Sequence, residues 1–160
     1  MSLESVRAWL AAHAPELRLI EAHASTATVD DAARALGVEP ARIAKTLAVR
    51  AGAVFLLVTR GDARLDNVKC KARFAARPRM LDAEETLAMT GHPVGGVCPF
   101  GLAEPLPIYC DVSLKAFDVV LPAAGSTRSM VRIAPERMAA LTGAEWVDVC
   151  QEPAAQHAAE

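Results

Sequence analysis

The chain has 160 residues, of which 52% are hydrophobic and 22% are charged, and its formal net charge is −2. This length and apolar content predict one domain with its own hydrophobic core. No apolar run approaches the roughly 20 residues that a membrane-spanning helix needs, and no signal-peptide pattern follows the N-terminus. We therefore expect a cytoplasmic protein without a membrane partner.

The cysteines indicate neither a disulfide framework nor a metal centre. They are widely separated and form no CxxC pair: Cys70, Cys98, Cys110 and Cys150. Such scattered cysteines are typical of free thiols in a reducing compartment. We expect no metal and no cofactor.

Helix and strand signals alternate along the first half of the chain. Ser2 can cap a first helix, and Thr28 with Asp31 can cap a second one that Gly37 ends. Apolar residues on both sides of Gly52 predict paired strands. The predicted elements are a helix from 2 to about 13, a strand at 17–21, a helix at 28–36, one turn at Pro40, and strands at 43–50 and 53–60.

The second half continues this alternation with shorter elements. Its predicted helices lie at 65–74, 83–89 and 135–142, and its predicted strands lie at 107–112, 118–121, 129–133 and 145–150. Residues 151–160 are rich in alanine and polar residues, and we expect this tail to fray. The strands outnumber those of a simple βαβ series, which favours a mixed α/β domain over a fully parallel sheet.

One segment of the acidic chain is strongly basic. Seven cations and two anions lie between residues 60 and 79, which gives this segment a local charge of +5. A basic patch on an acidic body is typical of a surface that binds a polyanion. The alternative is a solvated helix face that carries long charged side chains.

Lys45 stands in a predicted strand whose other residues are apolar or small. Strand alternation puts it on the same face as Ile43, Leu47 and Val49, which we expect to be the interior face. A lysine there must reach the surface, pair with an acid, or point into a cavity that holds an anion or a carbonyl group. Alternatively, it protects an edge strand from aggregation.

The segment 91–101 holds four glycines and two prolines, which predicts a stiff loop with exposed peptide N–H groups. Such a loop can bind an ester carbonyl, a carboxylate or a phosphate; the alternative is a tight connection between strands. Neither a Walker A motif nor a dinucleotide-binding fingerprint is present. Cys98 lies in the loop, but no His or Asn pattern supports it as a nucleophile.

Four segments of the chain, at 32–38, 43–47, 61–66 and 95–101, carry a family resemblance. In order and spacing they resemble the YbaK/ProXp family of free-standing aminoacyl-tRNA deacylases, relatives of the editing domain in bacterial prolyl-tRNA synthetases. The resemblance covers roughly residues 15–150 and predicts an editing domain at 1–150. It implies a mixed sheet partly closed into a barrel, flanked by helices, with a pocket for the 3′-terminal aminoacyl-adenosine.

The resemblance also implies functional residues. Lys45 matches the essential lysine of the family and 95–99 matches its GxxxP loop, which positions the scissile ester, so the implied catalytic residues are Lys45, Gly95 and Gly96. Asp111 would recognise the α-ammonium group. The full implied substrate-binding set is His23, Thr26, Thr28, Val97, Cys98, Pro99, Asp111 and Ser129. The residues that we expect to contact tRNA phosphates are Arg64, Lys69, Lys71 and Arg73.

The implied activity is hydrolysis of the ester of tRNA mischarged with a small amino acid such as Ala, Ser, Thr or Cys. The implied partners are the acceptor end of tRNA and an aminoacyl-tRNA synthetase. Two alternatives stay open. One is a non-catalytic module of the same fold that binds tRNA or a nucleotide, and the other is a hydrolase of another small ester.

Overall fold

Five helices are present in the computed structural model, which describes residues 2–152: α1 (Ser2–His13), α2 (Val29–Leu36), α3 (Asn67–Phe74), α4 (Ala83–Thr90) and α5 (Pro135–Thr142). Short 3₁₀ turns lie at Pro40–Arg42 and Val112–Ala116. Within the described residues, no helix is long and apolar enough to cross a membrane. Of the tail predicted at 151–160, residues 153–160 lie outside the described part.

Eight strands form two sheets within the described residues. They are β1 (Leu19–Glu21), β2 (Ile43–Ala51), β3 (Ala53–Arg60), β4 (Arg79–Met80), β5 (Ile108–Asp111), β6 (Leu121–Pro122), β7 (Ser129–Val131) and β8 (Glu145–Val147). The larger sheet has the order β4-β2-β3-β5-β8, with β6 paired to the start of β2, and β1 pairs with β7 in a smaller sheet. The β2–β3 and β2–β4 pairs are antiparallel, whereas β3–β5, β5–β8 and β2–β6 are parallel.

This topology confirms the mixed α/β fold, but the predicted partial barrel is wrong. In the described chain, β4 and β8 end the larger sheet without pairing with each other, and β1 with β7 stands apart as a two-stranded sheet. A barrel requires a ladder that continues around the whole circumference. β4 has only two residues, which is too short to close one.

The helix ends follow the local sequence signals. The hydroxyl of Thr28 accepts a hydrogen bond from the Asp31 N–H at 3.1 Å, which caps α2. Gly37 ends this helix at a φ of 66°, where a residue without a Cβ avoids steric strain. Asp66 and Asp82 cap α3 and α4 in the same way as Thr28.

The strands of the second half are shorter than predicted. Val120 and Ile133 are buried, yet they form only an isolated bridge with each other outside the named strands. Val149 is also buried beyond the end of β8. Because packing as well as pairing buries apolar residues, an apolar run overestimates strand length. β4 has no apolar alternation and was not predicted.

Both faces of the central hairpin β2–β3 are covered. On one face, Ala48 and Leu56 pack near Val97 of the glycine-rich loop. On the other face, Leu57 packs against Cys70 of α3. Since neither face is open to solvent, strand alternation alone does not distinguish the face that carries a binding site.

Candidate active site

A cavity of about 210 Å³ lies between β2, the glycine-rich loop and the segment that precedes α2. Its wall is made mainly of small, apolar and hydroxyl-bearing side chains. The lining residues, all of them described, are Thr26, Ala27, Thr28, Val29, Ile43, Ala44, Lys45, Thr46, Ala48, Met80, Leu81, Thr86, Val94, Gly95, Val97, Ala123 and Met130. Lys45 is the one ionisable residue among them.

Two hydroxyl groups in the wall are buried without a partner. Within residues 2–152, the Oγ1 atoms of Thr26 and Thr46 are the buried side-chain polar atoms that make no hydrogen bond. Thr26 is only 4% exposed. A buried hydroxyl without a partner costs free energy, so both groups are available to a polar ligand.

The edge of β2 is open beside this cavity. Among the described strands, β6 pairs with β2 only at Ile43 and Ala44, and β4 pairs with it only from Val49 onward. The Ala48 carbonyl accepts the Leu81 N–H at 3.0 Å on that side. Since backbone groups alternate in direction along an antiparallel pair, the N–H and C=O of Thr46 point into the gap between β6 and β4.

Lys45 lines the cavity, but its ammonium is bonded to a residue outside it. Nζ donates a hydrogen bond to the carbonyl oxygen of Ala63 at 2.6 Å, and Ala63 does not line the cavity. Burial lowers the pKa of Lys45 below its usual value, while the nearby Asp62 carboxylate opposes that shift. The ammonium therefore has one neutral acceptor, the Ala63 carbonyl, and one nearby negative charge, the Asp62 carboxylate.

The glycine-rich loop approaches two neighbouring segments closely. Gly95 has a φ of 92°, and a Cβ there would lie 3.0 Å from the Cβ of Ala27. A Cβ on Gly96 would lie 2.7 Å from the backbone nitrogen of Ser126. The Gly96 N–H already donates to the Pro93 carbonyl at 2.9 Å, and the Gly96 carbonyl accepts from Gly125. Gly95 lines the cavity and Gly96 does not.

His92, a buried residue of this loop, connects the loop to its neighbours. His92 has no exposed surface; its Nε2 donates to the Phe100 carbonyl at 2.7 Å, and its Nδ1 lies 2.6 Å from the Ser2 hydroxyl. That hydroxyl is also 2.5 Å from the Gly125 carbonyl. Burial lowers the pKa of His92, which the bond to Phe100 opposes. His92 thus links α1, the loop and the turn at Gly125.

Cys98 lies beside this histidine but is not placed as a nucleophile. Its sulfur is 3.6 Å from Nε2 of His92. Both residues are fully buried, and Cys98 does not line the cavity. Burial raises the pKa of the Cys98 thiol to about 12, so almost no thiolate forms at neutral pH.

A family model of the aminoacyl-tRNA editing domain matches residues 23–141 of the chain. The matched segment spans most of the chain and contains every residue that lines the cavity. The chain belongs to the aminoacyl-tRNA editing domain family. This confirms the resemblance seen in the sequence.

One relative extends this match to nearly the whole chain, and two others match shorter parts of it. The uncharacterised protein YwhH of Bacillus subtilis is 43% identical over 155 residues, which are 95% of this chain and 99% of YwhH. A candidate Cys-tRNA(Pro)/Cys-tRNA(Cys) deacylase of Enterococcus faecalis, EbsC, is 29% identical over 76% of each chain. The proline–tRNA ligase of Bacillus licheniformis is 35% identical over 94 residues, which are 58% of this chain but 16% of the ligase.

A solved structure shares the fold of this editing domain. The crystal structure of a candidate trans-editing enzyme for prolyl-tRNA synthetase superposes with a TM-score of 0.85 and is 34% identical in sequence. The match covers 94% of this chain and 97% of that chain.

The substrate-binding residues predicted from the sequence fall into two groups. Thr26, Thr28 and Val97 line the cavity of the editing domain, together with the predicted catalytic Lys45 and Gly95. The other five do not line it. His23 is exposed, and Cys98 and Pro99 are buried residues of the loop. Ser129 forms a hydrogen bond with Ser126 at 2.5 Å, and Asp111 is buried away from the cavity.

Asp111 has a structural partner on each carboxylate oxygen. Oδ1 accepts the Val149 N–H at 2.8 Å, and Oδ2 accepts the Ser113 N–H at 2.9 Å. Asp111 is 1% exposed. These bonds join β5 to the segment after β8, so Asp111 has no free oxygen directed at the cavity.

Two of the four residues predicted to contact tRNA form ion pairs within the protein. Nζ of Lys69 lies 3.1 Å from Asp148, and Arg73 forms an ion pair with Glu145. Arg64 and Lys71 are exposed. Among the described residues, neither of them has a carboxylate within 4.0 Å.

Sequence reasoning missed Thr46 as a site residue. It directly follows Lys45 in a strand of apolar residues, and a hydroxyl at an otherwise apolar position was the available signal. Met80 and Thr86 also line the cavity, although no sequence feature distinguishes them, because tertiary packing brings β4 and α4 to the site.

Proposed function

We propose that this editing domain is a trans-editing deacylase, which hydrolyses the ester of tRNA mischarged with a small amino acid such as Ala, Ser, Thr or Cys. The observation that carries the proposal is the cavity of about 210 Å³ between the glycine-rich loop and the open edge of β2. Sites for drug-sized ligands occupy roughly 300–1,000 Å³. The smaller volume here suits a small aminoacyl group.

The backbone of the loop is suited to polarise the ester. Water loses one proton as its oxygen adds to the ester carbonyl, which gives a tetrahedral oxyanion. The bond from the carbonyl carbon to the ribose oxygen then breaks, and the ribose oxygen takes up that proton. Gly95 and Val97 line the cavity, and among the described residues no carbonyl accepts their N–H groups. We therefore assign these two N–H groups as oxyanion donors. Gly96, whose N–H is already bonded to Pro93, shapes the loop.

Lys45 is the proposed source of positive charge in the site. Lys45 lines the cavity, and in the proposed mechanism its ammonium exchanges the Ala63 carbonyl for the ester region or the phosphate of the terminal adenosine. One neutral hydrogen bond is a weaker interaction than a charge-assisted bond to an anion. The exchange is therefore favoured when the substrate enters.

The proposed partner is the acceptor end of tRNA. The local charge of +5 between residues 60 and 79 supports this choice, because backbone phosphates supply most of the affinity of nucleic acids for proteins. Of the four predicted contacts, Arg64 and Lys71 form no ion pair among the described residues, so they are available for phosphate.

A deacylation screen tests the proposal. tRNA charged with Ala, Ser, Thr, Cys or Pro is incubated with the protein, and the loss of each ester is compared with spontaneous hydrolysis. We expect rapid loss of at least one of the first four esters, at a rate that falls steeply as salt increases. Binding of tRNA without hydrolysis would favour the non-catalytic module, and salt-independent cleavage of a small neutral ester would favour another hydrolase.

A further inference from the structure

The two unpartnered hydroxyls of the cavity call for a ligand with matching polar groups. Thr26 and Thr46 are the residues concerned, and Thr26 is 4% exposed. Buried polar groups in native proteins nearly always have a hydrogen-bond partner. Both threonines line the cavity, so a molecule that occupies it is positioned to supply the missing partner.

The cavity offers no negative charge to a bound cation. None of its lining residues is acidic, and both carboxylate oxygens of Asp111 accept backbone N–H groups elsewhere. An aminoacyl ester, the substrate under the proposed function, nevertheless carries an α-ammonium group with three N–H donors. Neutral oxygens must therefore accept these donors.

Thr46 supplies a third acceptor beside the two hydroxyls. Its carbonyl points into the gap between β6 and β4, as shown by the direction of the Ala48 carbonyl two residues later. Thr46 lines the cavity, and its hydroxyl and its carbonyl are the two acceptors that it offers there. With the Thr26 hydroxyl, this gives three neutral acceptors for three donors.

We propose that Thr26 and Thr46 form the α-ammonium subsite of this editing domain. The inference rests on the proposed function, since it takes the ligand to be an aminoacyl ester. Each hydroxyl accepts one N–H of the ammonium, and the Thr46 carbonyl accepts the third. The ester carbonyl then lies toward the loop, and the amino-acid side chain contacts the apolar part of the wall.

Thr→Val substitution tests the role of each hydroxyl, because it replaces the hydroxyl with a methyl group of similar shape. Thr46→Val and Thr26→Val are compared with the wild type and with Thr46→Ser, which keeps a hydroxyl. The substrates are alanyl-tRNA, seryl-tRNA and lactyl-tRNA, and in lactyl-tRNA a hydroxyl replaces the α-amino group. The assay is run at about pH 6.5, below the usual α-amino pKa. Circular dichroism confirms that each variant is folded.

We expect Thr46→Val to lower kcat/KM for alanyl-tRNA by about 10–100-fold, as for the loss of a hydrogen bond to a charged group. The value of kcat/KM for lactyl-tRNA should fall by less than about 3-fold, because this substrate has no ammonium group to bind. Thr46→Ser should restore most of the alanyl-tRNA activity. Thr26→Val should act in the same direction as Thr46→Val.

Three outcomes would overturn the subsite: an equal loss for both substrates, no loss for either, or a change confined to the ratio of seryl-tRNA to alanyl-tRNA. The last would mean that the hydroxyls bind the amino-acid side chain. Binding of non-hydrolysable 3′-alanylamino- and 3′-lactylamino-3′-deoxyadenosine is measured in parallel. If the wild type binds the alanyl compound more tightly and Thr46→Val removes that preference, the subsite stands even where deacylation, and with it the proposed function, fails.

Discussion

At the residue scale, the main contrast is between Lys45 and Thr46. They are neighbours in β2, but their side chains leave opposite faces of the strand. The Lys45 ammonium bonds Ala63, whereas the Thr46 hydroxyl is buried without a partner. In the proposed mechanism, the lysine contributes positive charge and the threonine contributes polar atoms to the wall of the cavity.

Lys45→Ala should lower kcat/KM for deacylation by about 100-fold or more, as is typical when charge stabilisation in a transition state is removed. The fold should persist, since the substitution removes one hydrogen bond and a half-buried charge. Deacylation kinetics and urea denaturation measure the two effects. Lys115→Ala, a substitution of an exposed lysine that does not line the cavity, is the control. Wild-type turnover by Lys45→Ala would remove Lys45 from the mechanism.

The Cys98 thiol is expected to be dispensable. Burial raises its pKa to about 12, so fewer than about one thiol in 10⁴ is ionised at neutral pH. Cys98→Ala should therefore keep kcat/KM within about 3-fold of the wild type, with only the modest destabilisation of a small core truncation. An inactive but folded Cys98→Ala variant would instead indicate a thiol nucleophile.

At the element scale, the proposed mechanism uses the backbone of the glycine-rich loop. Gly95 contacts the segment before α2, Gly96 lies against the turn at 125–126, and His92 fixes the loop to α1. These contacts hold the N–H groups of Gly95 and Val97 in place before a substrate arrives. Donors that need no reorganisation give the largest stabilisation of an oxyanion.

Gly95→Ala should reduce deacylation by about 10²–10³-fold, the usual effect of removing an oxyanion donor. The added Cβ would lie 3.0 Å from Ala27 and 3.1 Å from Thr127, so the loop must shift. Gly143→Ala is the matched control, because Gly143 has a similar positive φ of 70° but no atom within 4 Å of the new Cβ. If both variants are equally impaired, backbone strain rather than loop position explains the effect.

At the scale of the whole molecule, stability should depend on pH through His92. Burial lowers its pKa in the folded state, so the unfolded chain binds more protons as the pH falls. The contribution of the neutral His92 ring to the free energy of unfolding is fully present above about pH 6.5, the pKa of histidine in the unfolded chain. This contribution decreases at lower pH.

The urea concentration at the unfolding midpoint should therefore decrease as the pH is lowered from about 7.5 to about 5.5. His92→Gln should make this decrease smaller. His13→Gln removes an exposed histidine instead and is the control for a change in histidine content. An identical slope in the wild type and His92→Gln would assign the effect to other groups.

The distribution of ion pairs predicts which cations contact tRNA. A double variant with Arg64→Ala and Lys71→Ala should lower the slope of log Kd for tRNA against log salt concentration by about two. Each substitution leaves one phosphate without its cation. Lys69→Ala with Arg73→Ala should change it less, since Asp148 and Glu145 already neutralise those cations. Filter binding over a salt series measures both. Equal slopes for the two double variants would show that the ion pairs open on binding.

The sequence by itself determined the local structure and the family. Thr28, Gly37 and Gly52 fixed element ends, because capping and turn formation depend on residues close together in the chain. The four family segments likewise predicted the family to which the chain belongs. The loop at 91–101 was recognisable from its glycines and prolines alone.

Only the tertiary structure decided how the cavity is built. The open edge of β2, the unpartnered hydroxyls of Thr26 and Thr46, and the use of Asp111 as a structural acceptor depend on residues far apart in the chain. So do the ion pairs of Lys69 and Arg73. Sequence patterns record what each residue type can do, but long-range packing determines which polar groups are already paired and which remain for a ligand.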